Sequence, residues 1–308
     1  MSDTPAHGFA DRSPDAVHLP GGRLRHEHWT GLAALASEHG GEISVTSRGR
    51  LRVHGADGSP VSVDRFSAAG LPARVGSDRA RDIIASPLAG RLVGHGPIAD
   101  LPDRLDEALH ERAGTVRLDR QVLFGIDDGS CDVLAHAPDL TAVVDPTGTA
   151  VRVHVAGRDV SVHVAPADAT TVLADVAVEF AARSDLPSRV PGSGAMHDLV
   201  VDALRSHPLT SPAPQDPPPT TTAAAVPSVG WVDTADGMVS LLAVVAHGVI
   251  PARLAEFLGA IERPSTVSAD QVIGLHELTE QMAEQVVRVL APMGMIFDAG
   301  SEWVRGEN

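Results

Sequence analysis

Residues 26–54 read HEHWTGLAALASEHGGEISVTSRGRLRVH, and their pattern sets the fold class. In EHWTGLAALASE (27–38), Trp29, Leu32, Ala33 and Leu35 fall on one helical face. The following EISVTSRGRLRVH (42–54) alternates apolar and polar residues like a pair of strands. Residues 61–69 predict another helix, stopped at Gly70, with the apolar exit FSAAGLPA (66–73). The order is helix, strand pair, helix.

The same series recurs near the other end. Residues 251–261 predict a helix with proline at its start, a favoured position. Residues 266–275 read as strand and 277–290 as a second helix, and the series ends in APMGMIFD (291–298). Both segments suit split βαβ, ferredoxin-like units. Between them, LPDRLDEALHER (101–112) is an amphipathic helix, and QVLFGI (121–126) is a buried strand closed by an Asp127-Asp128-Gly129 turn. TAVVD (141–145), AVRVHV (150–155) and VSVHV (160–164) are three short strands, and 172–183 a helix. Residues 228–232 and 238–245 are strand-like. The stretch 207–227 holds seven prolines and reads as an extended linker, since proline lacks an amide donor and fixes φ. A weaker break lies at 186–194.

These readings give an α+β protein: two related ferredoxin-like half-domains flanking a more β-rich middle region. The expected boundaries are a disordered N-terminus (1–14), a first half-domain (15–75), the central lobe (76–190), a Pro-rich linker (191–226), a second half-domain (227–300) and a tail (301–308).

Composition excludes several functions. The 308 residues carry 24 basic and 40 acidic side chains, a formal net charge of −16, which argues against non-specific nucleic-acid binding. One cysteine, Cys131, excludes an intramolecular disulfide or an all-cysteine metal or iron–sulfur site built by these residues alone. That cysteine is expected to be a small filler residue. Residues 1–15 have no apolar core and do not read as a signal peptide. The longest apolar run, 238–250, is too short to span a bilayer, so no membrane partner and a cytoplasmic location are expected.

The most informative chemical feature is TSRGRLRVHG (46–55). If residues 47–54 are extended, Arg48, Arg50, Arg52 and His54 share one face, with neighbours roughly 7 Å apart. Guanidinium groups bind carboxylates bidentately, so such a row suits a ligand with several carboxylates, although a solvated outer face has the same pattern. His26 and His28, and the pair His154 and His163, offer no known ligand spacing with a third donor, so no metal site is expected. No Gly-rich phosphate loop or Gly-x-Ser-x-Gly elbow is present, and no catalytic residue is identified.

The pieces HLPGGRL (18–24), TSRGRLRVHG (46–55), IASPLAG (84–90), FGIDDG (124–129), VGW (229–231) and LAPMG (290–294) occur in one order along the chain. In that order the sequence resembles the precorrin-3B synthase family, oxygen-dependent oxidoreductases of aerobic cobalamin biosynthesis within the nitrite/sulfite reductase superfamily. The resemblance implies that the two ferredoxin-like half-domains are packed together beside a central α/β lobe of nitrite/sulfite-reductase type, and that a precorrin-type, polycarboxylate tetrapyrrole is held on basic residues beside a [4Fe-4S] cluster and iron. It places tetrapyrrole-contacting arginines at Arg48 and Arg81; with Arg50 and Arg52 from the basic row, and Arg120 beside a position that is basic in the family, these make up the expected anion-binding set. The sequence departs from the family at Asp82, where the pattern has Asn, and at Arg50 and Arg52, which replace Asn and Gln. It departs again at Gln121 and Gln271, which fall where basic residues are usual. The family's C-x5-C and C-x3-C cluster ligands would follow the segment matching 297–303, so no cluster is expected from this chain alone. Two readings follow. One is a synthase subunit completed by a second chain that carries the cluster lobe. The other is a catalytically silent tetrapyrrole-binding paralogue or pseudo-enzyme.

Overall fold

The structure, a computed structural model, describes residues 16–46, 48–62, 64–72, 82–98, 100–112, 118, 122–182, 189–213 and 229–305. The N-terminal segment forms β1 (Arg23–Leu24), α1 (His26–His39), β2 (Glu42–Val45), β3 (Leu51–His54) and α2 (Asp64–Ala68). The central lobe forms β4 (Asp82–Ala85), α3 (Leu101–Glu111), β5 (Leu123–Asp127), β6 (Leu140–Val144), β7 (Val151–Val155), β8 (Arg158–Val164), α4 (Ala169–Ala181), α5 (Ala195–Ser206) and β9 (Thr210–Pro212). The C-terminal segment forms β10 (Gly230–Asp233), β11 (Val239–Val245), β12 (Val249–Pro251), α6 (Ala252–Ala260), β13 (Ser265–Val267), β14 (Ile273–Leu278), α7 (Glu280–Leu290), β15 (Met295–Ile296) and α8 (Glu302–Arg305). The α+β class holds.

Helix α1 follows its apolar period: Trp29, Leu32, Ala33 and Ala36 are buried, and Gly40 closes the helix in the left-handed region at φ 64°. It packs along α6, and the two approach closely at Gly259, where a Cβ would stand 2.8 Å from Thr30 Oγ1. The indole N–H of Trp29 donates to Ser265 Oγ at 2.7 Å, so the buried ring's polar atom is satisfied by the other half.

The two halves exchange strands. One sheet runs β12–β2–β3 and the other β1–β13–β14–β11–β10, with β15 also pairing β11. Each sheet thus takes one strand from the opposite segment: Ile250 pairs with Ile43, and Arg23 with Thr266. A single apolar core serves both, including Trp29, Ile43, Phe66, Leu241, Leu254 and Leu275.

The central sheet runs β4–β5–β6–β7–β8–β9, parallel across its first three strands and antiparallel beyond. Every residue of β5 is buried, as expected of a parallel strand covered on both faces. The three helices α3, α4 and α5 bury their apolar stripes against one face.

Two expectations are corrected. The expected linker 191–226 contains a helix and a strand of the central lobe. Val200, Val201 and Leu204 give α5 a buried stripe, and β9 pairs with β8 at the sheet edge, where Pro212 needs no ladder donor. Flanking Pro191, Gly192, Gly194 and Pro208 concealed that stripe; residues 214–226 lie outside the described residues. The single strand expected over 266–275 is instead a hairpin, β13 and β14. Its turn has no Gly or Pro. Ser268 Oγ accepts the Val272 N–H, and Gln271 takes φ 62°.

Candidate anion-binding turn at the junction of the halves

The stretch that suggested a continuous basic row is a hairpin. Extended structure covers only Leu51–His54 of it, and Gly49 at φ 68° breaks the alternation, so Arg48 sits in the turn rather than in line with Arg52 and His54. Thr46 organises the turn. Its N–H donates to Arg50 O at 2.9 Å, and its Oγ1 accepts from the backbone N–H of Arg48 and of Arg50. Arg52 lies opposite Ser44 in the β2–β3 ladder, and Ser44 Oγ meets His54 Nε2 at 2.8 Å.

The turn brings two guanidinium groups onto one acid. Arg48 Nη1 lies 2.6 Å from Asp82 Oδ2, and Arg50 Nε lies 3.3 Å from Asp82 Oδ1. Asp82, the first residue of β4, has a side chain only 8% exposed, while Arg48 and Arg50 are about one-fifth exposed, at 20% and 22%. Arg81, Arg120 and Gln121 lie outside the described residues.

A second turn backs onto the first. Gln271 Nε2 donates to Val45 O at 2.7 Å, at the end of β2. Asp270 pairs with His136 of the central lobe at 3.2 Å, and this hydrogen bond raises the imidazole's pKa above its ordinary value. Ala269 packs on Ile84, Leu123 and Val133. Gly49 fits against this turn because it lacks a side chain: a Cβ there would stand 2.7 Å from Val267 O. Gly49→Ala is therefore expected to cost about 2 kcal/mol or more in urea denaturation. Gly58→Ala, at φ 77° with open space around it, isolates the backbone contribution. Equal losses in the two variants would show that the turn–turn contact contributes nothing.

The pieces 84–90 and 124–129 also meet. Ser86 Oγ donates to Asp132 Oδ1 at 2.5 Å and accepts from the Asp128 N–H at 3.1 Å. His95 Nδ1 lies 3.0 Å from Asp128 Oδ2. Burial pushes the Asp132 carboxyl up to about 6. Asp127, Asp128 and Asp132 each bring an oxygen within 4.8 Å of the others, but backbone N–H groups at 129, 131, 133 and 134 occupy both Asp127 oxygens. The trio is a hydrogen-bonding hub, buried at Asp127 and Asp128 and half-buried at Asp132, that organises residues 127–134. The sequence marked only a turn there. Three acids within six positions of a buried strand end were the available signal.

Cys131 is exposed at φ 67°, not the filler expected of it; its backbone N–H, rather than its thiol, is what the hub uses. His154 and His163 face Asp159 and Arg152 across the β7–β8 ladder rather than each other. His28 is buried in α1, its Nδ1 taking the Arg25 N–H, and His26 lies beside Glu27. Among the described residues no helix is long and apolar enough to cross a membrane.

Comparison with known proteins supports the same architecture. Residues 16–61 match the family described as Nitrite/Sulfite reductase ferredoxin-like half domain. Among solved structures, the NirA protein of Mycobacterium tuberculosis superposes with a TM-score of 0.74 at 14% identity. The match covers 94% of this chain and 58% of NirA, so the chain spans little more than half of that protein's length. No curated protein matches the chain. The segment holding the arginine turn is thus similar to a nitrite/sulfite reductase ferredoxin-like half domain, set in a chain that shares its fold with NirA.

Proposed function

We propose that this chain binds a polycarboxylate tetrapyrrole through the arginine turn, as part of a precorrin-3B synthase-like oxidoreductase of cobalamin biosynthesis. The observation that carries the proposal is the convergence of Arg48 and Arg50 on one point at the junction of the halves, with Arg52 on the strand β3 that follows the turn. Planar guanidinium groups held by an ordered turn suit carboxylates of a large ligand. The match of residues 16–61 to the half-domain family supports the superfamily part of this reading.

A [4Fe-4S] cluster does not fit the residues present. It requires four thiolates, and the sequence has one cysteine. Oxygen-dependent hydroxylation of a precorrin-type substrate would therefore need a cluster-bearing lobe that these 308 residues do not supply. The silent tetrapyrrole-binding reading requires no such lobe.

Uroporphyrin, with eight carboxylates, is the probe. Titration at pH 7.5, followed by the Soret band, is expected to give a Kd on the order of 1 μM. Raising salt from about 50 to 500 mM should weaken binding about tenfold, since exposed charge pairs are screened. The double variant Arg48→Ala, Arg50→Ala, with its fold checked by circular dichroism, should bind at least about tenfold more weakly. No Soret change, or equal affinity in wild type and double variant, would overturn the proposal.

A further inference from the structure

We infer that Asp82 is a built-in competitor for the arginine turn and sets how many ligand carboxylates the turn accepts. This inference rests on the tetrapyrrole-binding reading and specifies its selectivity.

Asp82 is placed as a bound carboxylate would be. Its two oxygens are divided between two guanidinium groups, Oδ2 on Arg48 Nη1 and Oδ1 on Arg50 Nε. It comes from β4, whose four residues are all buried, so its backbone is fixed by the parallel ladder to β5, where it pairs with Leu123. The acid is therefore held on a rigid strand end rather than swinging on a loop. An incoming carboxylate must either displace it or approach a site whose charge it has already reduced. Unlike charges attract and like charges repel most strongly where water is scarce, and the Asp82 side chain is only 8% exposed. A ligand with more carboxylates gains less from this turn than from the same arginines without the acid.

The test compares uroporphyrin, with eight carboxylates, and coproporphyrin, with four, on wild type and Asp82→Asn. The amide keeps the shape of the side chain and removes its charge. Asp82→Asn is expected to bind uroporphyrin at least about tenfold more tightly than wild type does, with a smaller gain for coproporphyrin. Asp82→Glu, which keeps the charge, is expected to show no such gain. Equal or weaker uroporphyrin binding by Asp82→Asn would overturn the inference while leaving the tetrapyrrole reading intact, because wild type still binds. Absence of binding by both proteins would defeat the underlying reading, and the inference with it. Should Asp82→Asn fail to fold, the wild-type ratio of the two affinities decides. A uroporphyrin affinity less than about tenfold that for coproporphyrin supports a competitor at the turn, and a larger ratio overturns it.

Discussion

Acidification from pH 7 to pH 4 is expected to remove about 3 kcal/mol of stability through His276 alone. This residue lies in the middle of the second half's sheet with no solvent exposure. Its Nδ1 meets Ser240 Oγ at 3.0 Å and its Nε2 meets Thr266 Oγ1 at 2.8 Å, so three adjacent strands share one neutral ring. One nitrogen donates and the other accepts, which a neutral imidazole does and a protonated one does not. Burial, aided by the charge of Arg91, pushes the imidazole down to about 3. The unfolded chain carries a histidine of pKa about 6.5, so between these values it takes up a proton that the folded protein refuses. Stability is complete above about pH 6.5 and falls as pH drops towards 3, by about 1.4 kcal/mol per unit. Urea denaturation at pH 7 and pH 4, with and without His276→Gln, measures the effect. The variant is expected to be less stable at pH 7 and to show a flatter pH profile. An imidazole resonance assigned to His276 and titrating near pH 6 would refute the account.

The second large effect is expected at Asp127. Gly129 and Cys131 donate their N–H groups to Oδ1 at 2.8 and 3.1 Å, while Val133 and Leu134 donate to Oδ2, both at 3.1 Å. The side chain is fully buried, and burial raises its pKa against the four donors that favour its charged form. Asn has one carbonyl oxygen, so its amide N–H groups would face one pair of backbone donors. Asp127→Asn is therefore expected to cost about 3–5 kcal/mol, seen as a lower urea midpoint with an unchanged slope. A loss under about 1 kcal/mol would mean that the turn is held by its backbone and by Ser86 rather than by this carboxylate.

The elements that depend on local periodicity were legible in the sequence. The apolar stripe of α1, the alternation of β7 and the mixed strands of the central lobe all follow from which side chains can be buried at a period of 3.6 or 2. Features that depend on distant partners were not. Nothing near residue 43 announces Ile250 as its neighbour, and α5 was hidden by the prolines and glycines around it. The site was half legible. The arginines and the unusual acid at Asp82 stand out as residue types, but their convergence requires the β2–β3 turn to bend at Gly49 and β4 to begin beside it. Spacing in one strand carries no trace of that geometry. His276 gave no signal beyond being one histidine among 15 in the chain.

The strand exchange between the halves has a consequence for how the protein is made. β2 leaves the ribosome roughly 200 residues before β12, its partner at one edge, which at about 5–20 residues per second is a wait on the order of 10–40 s. Throughout that interval the edge of β2 is an unsatisfied hydrogen-bonding template, and Trp29 lacks the Ser265 hydroxyl that its indole requires. The nascent N-terminal segment therefore needs shielding until the C-terminal strands emerge. The same wiring means that two polypeptides cut within residues 214–228 would each hold a half-domain sheet short of one strand in isolation, yet would carry the complementary strands needed to reassemble when expressed together.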